Sequence, residues 1–310
     1  MTESALDILA AGYAVDKRWR ISRCLSAGGM GAVYEAAHVR TGRRAAVKVM
    51  RPDLLESPEM RERFRNETMV TASLDSDHIV GVLDGGVDEG AGAPFLVMEL
   101  LRGHDLATEL SHRSRLSIPD ALTFLGQVAR GLDRAHEAGI VHRDLKPENL
   151  FLTRRDGGEP CVKIVDFGIA KIIAESLSAA KTTRALGTPV YMAPEQIRGD
   201  GTIGPSADIY ALTHVAYALL VGQPYWQTDF DRLKNVYPLM IAIMAGMKEP
   251  PSARARVLGV ELPPAFDVWM RRGAALDPLS RPDSAPQLIE ELERALASEG
   301  PPSTVVERAP

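Results

Sequence analysis

The chain has 310 residues, 45% of them hydrophobic and 25% charged, with a net charge of −5. That composition belongs to an ordinary globular protein large enough to bury a sizeable core as one large domain or two lobes. The acidic balance and a pI near 5.9 argue against a general nucleic-acid binder, and two distant cysteines, Cys24 and Cys161, fit structural thiols in a reducing compartment rather than a disulfide.

The first residues, Met-Thr-Glu-Ser, lack a basic n-region and an h-region, so no secretory leader is expected here. The longest apolar runs, Ile209 to Val221 and Val236 to Met247, are too short for a bilayer. The expectation is a cytoplasmic chain without a membrane segment. Residues 1–16 read as an N-terminal extension with a short amphipathic segment at Leu6, Ile8 and Leu9. From Trp19 to Met50 the pattern is one of strands: Ile21 to Leu25, then a glycine-rich turn, Val33 to His38, the turn Thr41-Gly42-Arg43, and Ala45 to Met50. Glu59 to Leu74 has a helical period, with Met60, Phe64 and the Met69/Val70 pair on one face. Ile79 to Leu83 and Phe95 to Leu100 read as strands, and Asp84 to Pro94, with four glycines, as a loose hairpin loop.

After Leu101 the period becomes helical. Ser117-x-x-Asp120 resembles a capping box ahead of Leu122, Leu125, Val128, Ala129, Leu132 and Ala135. Ser206 to Val221 is apolar nearly all round, as in a buried helix, and Asp208 within it requires a hydrogen-bonded carboxylate. Ser284-x-x-Gln287 caps a last helix carrying Leu288, Ile289, Leu292 and Leu296, and a Pro- and Gly-rich tail follows. Strands with one helix come first and helices follow, which predicts two segregated lobes.

The chemistry concentrates in Ile140 to Gly168. Asp144, Asn149 and Asp166 gather oxygen ligands suited to a hard cation such as Mg²⁺, and Lys146 can neutralise phosphate charge. In a phosphoryl transfer Asp144 would take the proton of an acceptor hydroxyl, Lys146 would lie near the transferred group, and Asn149 and Asp166 would hold metal. Each residue singly could be a turn former; the weight lies in the combination. Upstream, Ser26-Ala27-Gly28-Gly29-Met30-Gly31-Ala32-Val33 joins two strands, where bare backbone N–H groups can approach phosphate. The strand-loop-strand setting separates it from a dinucleotide-binding turn, and no GxxxxGK[ST] element is present. Lys48 ends an apolar strand and needs a counter-charge; Glu67, mid-helix, is the expected partner.

Together these motifs, with Ala193-Pro194-Glu195, Asp208 and Arg281, resemble a protein kinase, specifically the bacterial eukaryotic-like (Hanks-type) serine/threonine kinases, from Trp19 to Leu296. The resemblance implies an α+β bilobal fold: a small antiparallel β-rich N-lobe with one main helix (17–101) and a larger, mostly helical C-lobe (102–297), with a flexible tail at 298–310. It implies ATP with Mg²⁺, or Mn²⁺ in its place, protein substrates with Ser or Thr, and self-association for autophosphorylation. Leu25, Val33 and Ala46 would sandwich the adenine. Met98 takes the gatekeeper position, the backbone of Glu99 and Leu101 would meet the adenine edge, Glu195 would pair with Arg281, and Asp208 would brace the catalytic loop. Lys146 within Asp-Leu-Lys-Pro-Glu-Asn and Thr188 within Gly-Thr-Pro resemble the Ser/Thr rather than the tyrosine branch.

Arg143, next to Asp144, suggests control by a phosphate on the segment Asp166 to Glu195, with Thr182 and Thr183 as acceptors. Two departures from the pattern stand out. Ser26 replaces the first glycine of the loop, and Thr228 to Met247 is Met-rich (Met240, Met244, Met247), fitting either core packing or an adaptable docking surface. The alternatives are a pseudokinase scaffold on the same fold, and a small-molecule phosphotransferase.

Overall fold

The computed structural model describes residues 9–28, 31–52, 59, 62, 64, 68, 70–167, 189–199 and 203–298. The chain divides into two compact units. One comprises residues 1–106, 134–144 and 148–188; the other comprises 107–133, 145–147 and 189–310.

The first unit is built on a six-stranded antiparallel sheet. Its strands are β1 (Ala14–Val15), β2 (Trp19–Gly28), β3 (Gly31–His38), β4 (Arg44–Met50), β5 (Val82–Asp88) and β6 (Ala93–Met98), ordered β1-β2-β3-β4-β6-β5. Side chains alternate between faces along each strand. Ala32, Tyr34 and Ala36, Ala45, Val47 and Val49, and Phe95 and Val97 enter one core with Trp19 and Ile21. Leu96 and Met98 belong to the other face, where they meet Val80. Leu9 and Tyr13 pack onto the first core, and the Tyr13 hydroxyl donates to Asp88 at 2.5 Å. A three-stranded sheet, β7 (His104–Asp105), β8 (Leu150–Arg154) and β9 (Pro160–Ile164), completes this unit.

Two sequence expectations are corrected here. The strand expected at 79–83 begins at Val82 and runs to Asp88, so most of the supposed loop is a β-hairpin whose tip is only residues 89–92. Two of its glycines serve close approach rather than looseness. A Cβ on Gly85 would lie 2.8 Å from Thr68 Cγ2, and one on Gly90 2.6 Å from the Tyr13 hydroxyl. The described residues between 59 and 72 are helical, but the inward face carries Phe64, Thr68 and Thr71, while Val70 is exposed. An i, i+4, i+7 set with two threonines is hidden from a purely apolar pattern. Residues 1–8 and 299–310, including Leu6 and Ile8, lie outside the described residues.

The second unit is helical: α1 (Leu106–Arg113, almost all within it), most of α2 (Ile118–Glu137), α3 (Pro194–Arg198), α4 (Ser206–Val221), α5 (Gln227–Leu233), α6 (Val236–Ala245), α7 (Pro251–Val257), α8 (Pro264–Gly273) and α9 (Ala285–Ala297). Both expected caps form, each on one side only. Ser117 Oγ accepts from the Asp120 N–H, but the Asp120 carboxylate turns to Arg113 at 2.7 Å. Ser284 Oγ accepts from the Gln287 N–H, and the Gln287 carbonyl oxygen reaches the Asp283 N–H. Every residue of α4 except Ser206 is buried, Asp208 included. The Met-rich stretch splits into α5 and α6. On α6 Leu239 and Ile243 are buried, Met240 and Met244 half-buried, and Tyr237 and Ile241 exposed. No helix among the described residues is long and apolar enough to cross a membrane.

Arg281 and Glu195 form the predicted pair, fully inside this unit. Arg281 Nη1 and Nη2 donate to the two carboxylate oxygens at 2.6 and 2.8 Å, and the same guanidinium donates to the carbonyls of Ala275 and Ser206. A buried pair of this kind contributes little over an apolar replacement, but a half-removed one leaves a stranded charge. Arg281→Met is therefore expected to lower the free energy of unfolding by about 3–5 kcal/mol in urea titration. The double variant Arg281→Met/Glu195→Leu should lose clearly less than the two single losses added.

His214, on α4, is fully buried, and among the described residues neither ring nitrogen has a hydrogen-bond partner. It lies against Tyr210, 4.6 Å between ring centres. Burial, with a smaller contribution from the Arg281 charge, pushes its pKa down to about 3. The unfolded chain therefore takes up a proton near pH 6.5 that the native state refuses until about pH 3. Stability from this residue is complete above the upper value and falls with decreasing pH across the window, by roughly 1.4 kcal/mol per pH unit. His214→Phe should flatten that slope when urea midpoints are compared between pH 7 and pH 4.

Candidate active site

Strand alternation decides which side chains face the site. In the β3–β4 register Val33 pairs with Lys48, and in the β4–β6 register Ala46 pairs with Met98 and Lys48 with Leu96. Ala46, Lys48 and Met50 therefore leave β4 on the side opposite its core residues Ala45, Val47 and Val49. A cavity on that side is lined by Lys48, Met50, Phe64, Met98, Asp166 and Phe167, among others. Of the residues expected around the adenine, Ala46 and Met98 are buried, Val33 half-buried and Leu25 exposed; Leu101 packs beside Met98.

In the glycine loop, Gly28 pairs with Gly31 where β2 turns into β3. The two glycines have different reasons. Gly31 has φ +153°, and a Cβ there would lie 2.2 Å from the Val49 carbonyl oxygen, so the β4 backbone demands it. Among the described residues, a Cβ on Gly28 would meet nothing within 4 Å. The described packing does not require glycine at 28; a bare backbone open to a ligand would explain it. Ser26 pairs with Val33 and Ala27 with Ala32. Gly29 and Met30 lie outside the described residues.

Lys48 Nζ stands 2.8 Å from Asp166 Oδ1. The expected partner Glu67 lies outside the described residues, so the described counter-charge of Lys48 is Asp166. Asp166 itself adopts φ +59° and Arg143 φ +64°. Left-handed backbone at non-glycine residues persists where surroundings over-determine it, and it clusters at functional sites.

The surroundings are visible. His142 is fully buried, its Nδ1 accepts from the Asp144 N–H at 3.2 Å, and its Nε2 lies 3.0 Å from the Val165 carbonyl. One nitrogen faces a donor and the other an acceptor, which fixes the tautomer with the proton on Nε2. Its ring also touches Phe167, 4.9 Å between centres. Asn149 donates from Nδ2 to the Asp144 carbonyl at 2.7 Å and to the Asp144 carboxylate at 3.3 Å, while its own carbonyl accepts from the Val165 N–H. Both side-chain contacts are to acceptors, so the amide nitrogen points there and the amide oxygen is the atom that could ligate a cation. Amide and carboxylate oxygens from Asn149 and Asp166 suit a hard divalent cation.

Motif reading named His142 without giving it a task; the bracing shows only once Val165 is brought beside it. Lys146 is half-buried. Gly168, Thr182, Thr183 and Thr188 lie outside the described residues. Because Asn149 orients Asp144, Asn149→Ala is expected to weaken cation-dependent nucleotide binding about tenfold or more. Titrating divalent cation at fixed nucleotide, in wild type and variant, measures this.

A protein kinase domain model matches residues 19–291. The serine/threonine-protein kinase Pkn1 of Myxococcus xanthus is 43% identical over 205 residues, 66% of this chain and 29% of the relative. The serine/threonine-protein kinase PknA of Mycobacterium tuberculosis is 39% identical over 256 residues, 82% of this chain and 55% of the relative. The chain thus spans between about a third and about half the length of these curated relatives. A crystal structure of the Mycobacterium tuberculosis PknI kinase domain superposes with a TM-score of 0.70 at 27% identity, covering 93% of this chain and 100% of that one. The glycine turn, the Lys48–Asp166 pair and the braced Asp144 fall within the matched residues, and the chain belongs to the protein kinase domain family.

Proposed function

We propose that this protein transfers the γ-phosphoryl group of ATP to Ser and Thr hydroxyls of proteins, and that 17–101 and 102–297 act as its N-lobe and C-lobe. ATP and a divalent cation follow from the family; Mg²⁺ is the expected ion, with Mn²⁺ as a substitute. The observation that carries the reading is the cluster of Lys48, Asp144, Asn149 and Asp166, braced by His142 within one compact unit.

In this reading Asp144 orients the acceptor hydroxyl and takes its proton as the oxygen attacks phosphorus. Lys48 and Lys146 offset negative charge on the phosphates, and the backbone at Gly28 to Gly31 covers them. Asn149 and Asp166 would hold the divalent cation, which when bound neutralises charge developing on the phosphate oxygens. Leu25, Val33, Ala46 and Met98 provide the apolar walls for the base. The contribution is mostly positioning, which rewards a rigidly braced Asp144. Arg143 would receive a phosphate on Thr182 or Thr183, added through transient self-association, and Thr188 would contact Asp144 and Lys146.

A pseudokinase scaffold would not need this set of groups, and both curated relatives described above are named as serine/threonine-protein kinases. Asp144→Asn is expected to lower turnover on a generic protein substrate by about 10²–10⁴-fold, with nucleotide affinity nearly unchanged. Lys48→Met should also lower turnover strongly. Full activity in either variant, measured with radiolabelled ATP, would overturn the assignment.

A further inference from the structure

The residue following Met98 carries an ion pair that the reading above does not use. Glu99 Oε1 accepts from Lys163 Nζ at 2.7 Å and from the Gly81 N–H at 2.8 Å, and the Glu99 N–H donates to the Gly81 carbonyl at 2.9 Å. Lys163 is only 18% exposed at its side chain and also reaches the Ile79 carbonyl at 3.5 Å. It sits on β9 between the buried Val162 and Ile164, three residues before Asp166. The strand is fixed on both sides. Ile164 exchanges backbone hydrogen bonds with residues 78 and 80, and Lys163 pairs with Phe151 in the β8 register. One carboxylate therefore ties together the segment after Met98, the chain at 79–81 and the strand that delivers Asp166.

We propose that Lys163 is a positioning and specificity-determining residue for the nucleotide base. This rests on the kinase reading, in which the Glu99 backbone meets the base edge. The Glu99 N–H is spent on Gly81, so its carbonyl is the group offered to the base. An acceptor there suits the exocyclic amino group of adenine and opposes the O6 acceptor of guanine. Such discrimination depends on the carbonyl not yielding, because a movable backbone can turn away from the wrong base. Lys163 supplies that stiffness with a charge-assisted bond in a partly desolvated setting, and anchors it to the strand of Asp166.

The test compares wild type, Lys163→Met, Lys163→Arg and Glu99→Gln, each first checked for native circular dichroism and cooperative unfolding. Equilibrium binding of Mg·ATP and Mg·GTP is measured alongside KM and kcat for both. Lys163→Met should raise KM and Kd for ATP about tenfold, the loss expected for one charge-assisted hydrogen bond. It should narrow the preference for ATP over GTP by a similar factor and leave kcat at saturating ATP within about twofold. Lys163→Arg should restore most of the preference. Glu99→Gln, which keeps an acceptor for the Gly81 N–H and the same backbone carbonyl, should narrow the preference for ATP over GTP as Lys163→Met does, even if that variant folds poorly. A merely structural role would lower stability or kcat and leave the ATP-to-GTP ratio unchanged, and that result overturns the proposal. If wild type prefers ATP and the variants keep that ratio, only the role of Lys163 falls. If wild type binds neither nucleotide, the kinase reading falls and takes this proposal with it.

Discussion

Two buried polar side chains, His142 and Asn149, brace the backbone around Asp144. His142 and Asn149 sit out of water, and each buried donor or acceptor left unmatched would cost about 1–3 kcal/mol. Their hydrogen bonds reach Asp144 and Val165, so satisfying them holds His142, Asp144 and Asn149 against the end of the strand leading to Asp166. That bracing gives Asp144 a fixed backbone and holds Asp166 in a left-handed conformation that it would rarely adopt alone. A phosphoryl-transfer site needs this stiffness more than it needs reactive side chains, because its work is placement and charge compensation.

The sheet contributes the second constraint. A strand has two faces and one register, so placing Ala45, Val47 and Val49 in the core sends Ala46, Lys48 and Met50 to the other side. Lys48 reaches Asp166 because burial of its apolar neighbours leaves it no other face. The same alternation on β9 buries Val162 and Ile164 and delivers Lys163 to Glu99. Both lysines are thus aimed by the apolar residues beside them.

Much of this was legible beforehand. The strands from Trp19 to Met50, the buried helix Ser206–Val221 and the motif residues 142–149 and 166–168 are written in period, spacing and residue type, and the Glu195–Arg281 pair is implied by the family resemblance that those motifs carry. Less legible was the hairpin at 82–98, where four glycines read as looseness but Gly85 and Gly90 make room for Thr68 and Tyr13. The inward side of the helical residues described between 59 and 72 was also obscured, since Thr68 and Thr71 occupy buried positions without apolar side chains.

By itself, the amino-acid sequence determined the family, the motif residues and the alternation that assigns side chains to faces, because these are properties of order along the chain. Only the tertiary structure decided which polar groups satisfy one another: His142 with Val165, Asn149 with Asp144, Lys48 with Asp166, and Glu99 with Lys163 across 64 positions. Local pattern carries no trace of those pairings, because a buried hydrogen-bonding group is matched by whatever the folded chain brings within about 3 Å of it.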